Sequence, residues 1–288
     1  FNIVRMLYGG EMPKLFPYRQ ADGKYKWFAP GQSLGNINLD EKELTFVRKS
    51  MDYLAESIIT GDNSRASEIV KKIYSYQHVK AKDVIPSKFL IYAEVFYNRL
   101  NTLRLPTMLY LSLSLLLSVA STIALNQKKR KIASKVTLWL TVIMFLHTSL
   151  LLLLRWMVSG HLPMSNGFET MQFMAWATLL LTRFMGKRFM PVKNFGPLLS
   201  SFALLVAMIT DGNPQITQLM PVLQSPLHSV HVMVIMFSYA LFGLMALIAA
   251  EGIWAHRRGD RAKEDQLAAT AGFLLYPAVS LLAVGIFI

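Results

Sequence analysis

The 288-residue chain is 53% hydrophobic and 16% charged, with a mean hydropathy of +0.36. Those values exclude an ordinary soluble domain, and the absence of cysteine excludes a disulfide scaffold, thiolate metal sites and a cysteine nucleophile. The net charge of +13 is not a nucleic-acid signal, because beyond Pro106 most basic residues sit in short clusters between apolar runs, a pattern of lipid topology.

Charge divides the chain in two. Residues 1–105 carry 16 Lys/Arg and 11 Asp/Glu, whereas residues 106–288 carry 14 and 6. The first part is expected to be a small, mainly helical extracytoplasmic domain, and the second an all-α membrane bundle. The chain begins at Phe1 without a signal-peptide pattern and ends inside the apolar run Leu281 to Ile288, so a piece of a longer protein is expected.

In chain order, PKLFPYRQADGKYKWFAPGQSLG predicts an irregular or short-stranded segment. Helices are predicted after Asp40, after Asn63–Ser64 and after Pro86, each with apolar residues at three- and four-residue spacing behind a capping residue. The pairs Lys71–Lys72 and Lys80–Lys82 read as a solvated face. Six apolar segments follow, at about 106–126, 136–158, 168–186, 195–211, 228–254 and 267–288. Each approaches the roughly 20 helical residues that cross a bilayer core of about 30 Å. The connections QKKRKIASK, GKRFMPVKN and AHRRGDRAKEDQ are basic, while those around SGHLPMSNG and DGNPQITQLMPVLQSPL contain no Lys or Arg. The positive-inside rule therefore puts the basic connections in the cytoplasm and residues 1–105 on the other side.

Ionisable residues within spans are costly and so are candidates for function. His147 stands twelve residues before the outer end of the second span, roughly 18 Å deep along the helix. It is either a neutral imidazole bonded to a hydroxyl such as that of Thr148 or a ligand for a metal or haem iron. His228 and His231, three apart at the outer start of the fifth span, share a helical face, but no HExxH motif, carboxylate or cysteine accompanies them. A metal site would need further ligands, so from spacing alone they read as wet interfacial residues. His161 lies in an outer loop, either as a turn residue satisfied by backbone or as a cofactor-binding residue. Arg155 and Glu169 flank that loop; they pair with each other, or Arg155 receives a carboxylate or propionate. His78 and His256 read as surface residues.

The run Arg155-Trp156, Ser159-Gly160-His161, Pro163, Ser165-Asn166, Phe168-Glu169, Phe173 and Trp176 resembles the stretch RW…SGHxPxSNxYExxxFxxW of the CcsA/ResC proteins of System II cytochrome c maturation. A second block, Pro221-Val222-Leu223-Gln224-Ser225, His231-Val232 and Ser238-Tyr239-Ala240, is similar to that family's P-x-L-x-S…HV…SYA segment. The likeness covers roughly residues 135–288, and residues 1–105 resemble the outer helical extension of Bacteroidetes-type members.

The resemblance implies haem handling and delivery, in support of covalent haem attachment to apocytochrome c at the outer face of a bacterial inner membrane. The chain would be a component of a cytochrome c synthase of haem lyase type, with haem b as substrate. A CcsB/ResB-like partner is implied, separate or fused upstream. His231 matches the first of two external haem-ligating histidines, and His147 a transmembrane histidine; Arg155 and His161 are carried as further cofactor-binding candidates. The family's tryptophan-rich WWD segment and second external histidine are expected after the sixth span, since Trp27, Trp139, Trp156, Trp176 and Trp254 are scattered. The alternatives are a multispan transporter or channel with an outer helical receptor domain, and a structural membrane anchor. No internal repeat or matched pair of broken spans favours a transporter.

Overall fold

A computed structural model describes residues 13–20, 23–32, 39–100, 104–123, 127–210, 216 and 225–288. The chain separates into two compact units, Phe1–Ser87 and Lys88–Ile288.

The first unit opens with an antiparallel hairpin of β1 (Phe16–Arg19) and β2 (Tyr25–Phe28), in which Phe16 pairs with Phe28. Two helices follow, α1 (Glu41–Ile59) and α2 (Asn63–Lys80). The Asp40 carboxylate caps α1 as its sequence predicts, while Asp62, not Asn63 or Ser64, caps α2 by accepting from the Arg65 amide at 3.0 Å. Phe16, Phe28, Val47 and Ile73 form the core, with Phe46 and Tyr76 set edge to face against Phe16. Gln77 fastens α2 to the hairpin by donating to the Leu15 carbonyl at 2.9 Å. Burial, with the Glu43 carboxylate second, pushes the Tyr76 phenol up to about 12, so it stays protonated at ordinary pH.

The second unit is a helical bundle: α3 (Lys88–Leu100), α4 (Arg104–Thr122), α5 (Gln127–Ser159), α6 (Gly167–Met185), α7 (Met190–Thr210), α8 (Pro226–Arg257) and α9 (Arg261–Phe287). Among the described residues, each of the six apolar segments is built on a helix. Charge composition put the domain boundary at Pro106, but the packing puts it before Lys88. The α3 residues Ala93 and Tyr97 are buried among Leu151, Leu154, Phe168 and Ala207 of the bundle. Among the described residues, four helices are long and apolar enough to cross a membrane, α5, α7, α8 and α9. Lys88–Leu100 with Leu105–Ser121, 49° apart, make a fifth if counted as one bent span. The sequence predicted six. The difference lies in α4, whose described stretch Leu105–Ser121 is too short by itself and qualifies only when joined to Lys88–Leu100, and in α6, which carries Glu169, Gln172 and Arg183.

The bundle inverts the usual polarity of a soluble core. Ser114, Ser118, Thr141, Thr148, Thr178, Thr182, Ser201 and Ser238 are buried, while Leu109, Leu116, Trp139, Leu146, Ile209 and Tyr276 are exposed. Many of the hydroxyls bond back to the carbonyl one turn earlier, as Thr141 does to Thr137 at 2.7 Å. Others bridge helices: Ser118 donates to Asn194 O at 3.0 Å and Ser238 to Ala278 O at 2.7 Å. This is the packing expected where lipid, not water, faces the apolar side chains. Apart from its hairpin, the molecule is an all-α, multi-pass membrane protein.

Helices α6 and α7 approach closely where Gly196 lies against Thr182. A Cβ at Gly196 would stand 2.8 Å from both Cβ and Cγ2 of Thr182 and would collide with its hydroxyl. Gly196→Ala is therefore expected to destabilise the bundle by about 1–3 kcal/mol through overpacking. Adding Thr182→Gly, which removes the colliding atoms, should recover part of the loss in thermal unfolding of the detergent-purified protein.

Candidate functional site

The two ends of the bundle differ in charge. The described helix ends that flank the basic connections α4–α5, α6–α7 and α8–α9 meet around one cleft, and those that flank α5–α6 and α7–α8, whose sequences carry no Lys or Arg, form the neutral end. Three of the four residues singled out from the sequence lie at the neutral end.

The α5–α6 connection is built around a buried ion pair. Arg155 Nε donates to Glu169 Oε1 at 2.6 Å, and their side chains are only 1% and 2% exposed. Arg155 Nη1 also donates to the Tyr97 hydroxyl at 3.0 Å, and its guanidinium lies 5.4 Å from the Phe168 ring centroid. The second Glu169 oxygen accepts from both the backbone N and the hydroxyl of Ser165, at 2.8 and 2.6 Å. Asn166 caps α6 by accepting from the Glu169 amide at 2.9 Å. One ion pair thus joins α5, α6, α3 and the intervening loop. Of the two roles weighed for Arg155, the geometry favours pairing, since an anion arriving from outside would have to displace Glu169. Tyr97, 58 residues from Arg155, is the member that sequence reasoning missed.

His161 lies in that loop, just after Gly160, whose φ of 71° suits glycine. Its Nδ1 faces the Leu162 carbonyl at 3.0 Å, and Ser159 Oγ donates to its carbonyl at 2.9 Å. These are the bonds of a turn residue satisfied by backbone. Because a carbonyl only accepts, Nδ1 carries the proton.

His231 lies five residues into α8. Its Nδ1 faces the Gly285 carbonyl of α9 at 2.7 Å. Nδ1 must again be the donor, so Nε2 is the lone-pair nitrogen. The ring is partly buried, oriented across two helices, and in the tautomer that binds a metal through Nε2. Gly285, 54 residues away, gave no signal in the sequence. His228, also partly buried, lies one turn earlier.

His147 is remote from these residues, in the middle of α5. Its partner is the Tyr110 hydroxyl of α4, 3.2 Å from Nδ1, with the rings edge to face at 5.8 Å between centroids. Thr148, the partner weighed from sequence, instead donates to the Met144 carbonyl at 2.9 Å. Either tautomer of His147 satisfies the tyrosine.

Beside the α5–α6 loop is an apolar groove of about 310 Å³ lined by Leu152, Trp156, Met164, Phe173, Trp176 and Met233, among others. The Trp176 indole is fixed by donating to Ser149 Oγ at 2.8 Å and by its contacts with Phe145 and Phe173. The groove and His231 use different faces of α8. Met233, Met236 and Phe237 pack toward α6, whereas His231, Ile235 and Ser238 meet α9. Sites at His147, at the His161 loop and at His231 are therefore separate. No group of three or more His, Cys, Asp or Glu side chains able to hold a metal ion occurs among the described residues. The block Pro221 to Gln224 lies outside those residues.

Residues 164–287 match the sequence profile of the family described as Cytochrome C assembly protein. The chain belongs to the cytochrome c assembly family. Protein NrfI of Wolinella succinogenes is 30% identical over 254 residues, covering 86% of this chain and 28% of NrfI. That alignment is longer than the whole second unit, so it includes part of the first. Cytochrome c biogenesis protein CcsA of Prochlorococcus marinus is 31% identical over 127 residues, 41% of this chain and 40% of that protein. Its namesake in Pinus thunbergii is 36% identical over 115 residues, 38% of this chain and 36% of that protein. This assembly-family chain thus spans well under half the length of these relatives. They lend the transporter reading no support.

Removing either partner of the Arg155–Glu169 pair leaves a buried charge uncompensated. Arg155→Met or Glu169→Leu alone is expected to cost about 3–5 kcal/mol, and the double variant much less than the sum. Thermal unfolding of the four proteins in detergent measures that coupling.

Proposed function

We propose that this chain acts in cytochrome c biogenesis by holding haem at the neutral end of its bundle, with His231 as an axial ligand of the iron. The observation that carries this reading is the 2.7 Å bond from His231 Nδ1 to the Gly285 carbonyl. It sets the tautomer and orients the ring, as the hydrogen-bond partner of a metal-bound imidazole does. The match of residues 164–287, which include His231, to the assembly family supports the same reading.

In this role the chain binds and orients, and the haem supplies the reactive edge. Haem b is the expected substrate, since its vinyl groups are what a cysteine thiol of apocytochrome c adds across, sulfur to one carbon and proton to the other. Both sulfurs come from the apocytochrome, because this chain has no cysteine. His147 is proposed as a second, membrane-embedded iron ligand, with the Tyr110 hydroxyl steadying its ring. Arg155 is proposed to act on haem through position: its ion pair holds the loop that presents His161, the remaining candidate contact. A CcsB/ResB-like partner completes the proposed machine. The setting is the cytoplasmic membrane of a bacterium, with the basic connections inside and the first unit in the periplasm.

Absorption spectroscopy of the full-length protein from haem-replete cells tests this. A Soret band is expected, falling by roughly tenfold in His231→Ala and regained on adding imidazole, which replaces the lost ligand. An unchanged Soret band in His231→Ala would remove His231 from the site. His147→Ala should lower haem content separately, while Thr148→Val should leave it unchanged.

A further inference from the structure

At the basic end, opposite His231, the helices leave a cleft of about 500 Å³. It is bounded by the last turn of α4, the first turns of α5, α7 and α9 and the last turns of α8. Five charged residues line it: Arg130, Glu251, Arg258, Asp260 and Lys263. Three of these, Glu251, Lys263 and Asp260, are already engaged. Glu251, whose side chain is 5% exposed, accepts from Lys263 Nζ at 2.7 Å, and Asp260 caps α9 by accepting from the Lys263 amide at 3.2 Å. Among the described residues, Arg130 and Arg258 have no carboxylate partner, and the segment Ile123 to Lys129 between α4 and Arg130 contains no acid. Arg258 is nevertheless held in place. Its guanidinium carbon lies 3.6 Å above the centroid of the Trp254 ring, which keeps the fork flat and leaves its N–H edges for an acceptor. Asn194 adds an amide to the same wall.

Two guanidinium groups on different helices, one of them stacked, form a receptor for an oxyanion. Three features select a phospholipid headgroup over a free anion. The cleft lies where α8 and α9 pass from a basic connection into apolar helix, the level of a headgroup. Its volume far exceeds that of a bare phosphate. Its rim includes Ile123 and Met190, apolar surface that a glycerol backbone and acyl ends can cover. We propose that this cleft binds the phosphate of an anionic phospholipid, such as phosphatidylglycerol, through Arg130 and Arg258. The site is independent of the haem reading, since it lies at the opposite end of the bundle from His231.

The test is native mass spectrometry of the full chain released from nanodiscs of phosphatidylcholine with and without phosphatidylglycerol. The unaltered protein should retain phosphatidylglycerol in preference to phosphatidylcholine. Arg130→Ala/Arg258→Ala should lower that retention by roughly tenfold. Arg257→Ala/Arg261→Ala, which removes the same charge outside the cleft, should leave it near the wild-type level. On the unaltered protein, phosphatidylglycerol should also shield Arg130 and Arg258, but not Arg257, from a guanidine-modifying reagent, a readout that needs no variant to fold. Equal loss in both double variants would make the attraction a diffuse surface effect and overturn the site. Inorganic phosphate giving the same shielding in phosphatidylcholine discs would overturn the lipid assignment in favour of a free anion. No preference between the two lipids would overturn the proposal altogether.

Discussion

A polar group facing lipid has no solvent to turn to, and this constraint shapes the whole bundle. The Arg155–Glu169 pair shows it most fully. Neither side chain is tolerable alone in that interior, and together they order Ser165, the cap of α6 and a tyrosine from α3. The neutral-end loop thereby acquires a defined conformation on a scaffold that has few other polar anchors. Gln172, one turn further along α6, shows what remains: both its amide atoms are buried without a partner among the described residues.

The same constraint separates two tasks that the sequence left entangled. Arg155 was a candidate to meet an anionic ligand and a candidate to meet Glu169, and burial decides between them. His231 stands differently. It is tied through one nitrogen only, and its partner is a backbone carbonyl, which survives most substitutions at Gly285. An imidazole fixed in this way is oriented before a ligand arrives, and the ordering cost is met on folding, not on binding.

Much of the fold is legible in the chain because it depends on local patterns. Apolar runs of about twenty residues became helices, Asp40 became a cap, and the alternation of basic and neutral connections separated the two ends. What escaped depends on contacts across helices. Tyr97 with Arg155, Tyr110 with His147 and Gly285 with His231 are separated by 58, 37 and 54 residues, and no periodicity links them. The domain boundary escaped for a related reason. The α3 helix has apolar residues on every side, with Phe89, Tyr92 and Phe96 exposed as Ala93 and Tyr97 are buried, so its pattern does not say which face packs or on what. The histidine-bearing motifs were visible because they are contiguous, but their tautomers are tertiary facts.

Helix length carries one more consequence. α6 has 19 residues and is about 28 Å long, close to the bilayer core, whereas α5 with 33 and α8 with 32 reach about 50 Å. The surplus of α5 includes Lys128 to Lys131, and that of α8 ends in Arg257. These cations ride on rigid extensions of the spans instead of slack tethers. The bundle therefore projects a fixed cationic collar, whose spacing a membrane of different thickness shifts in height without rearranging.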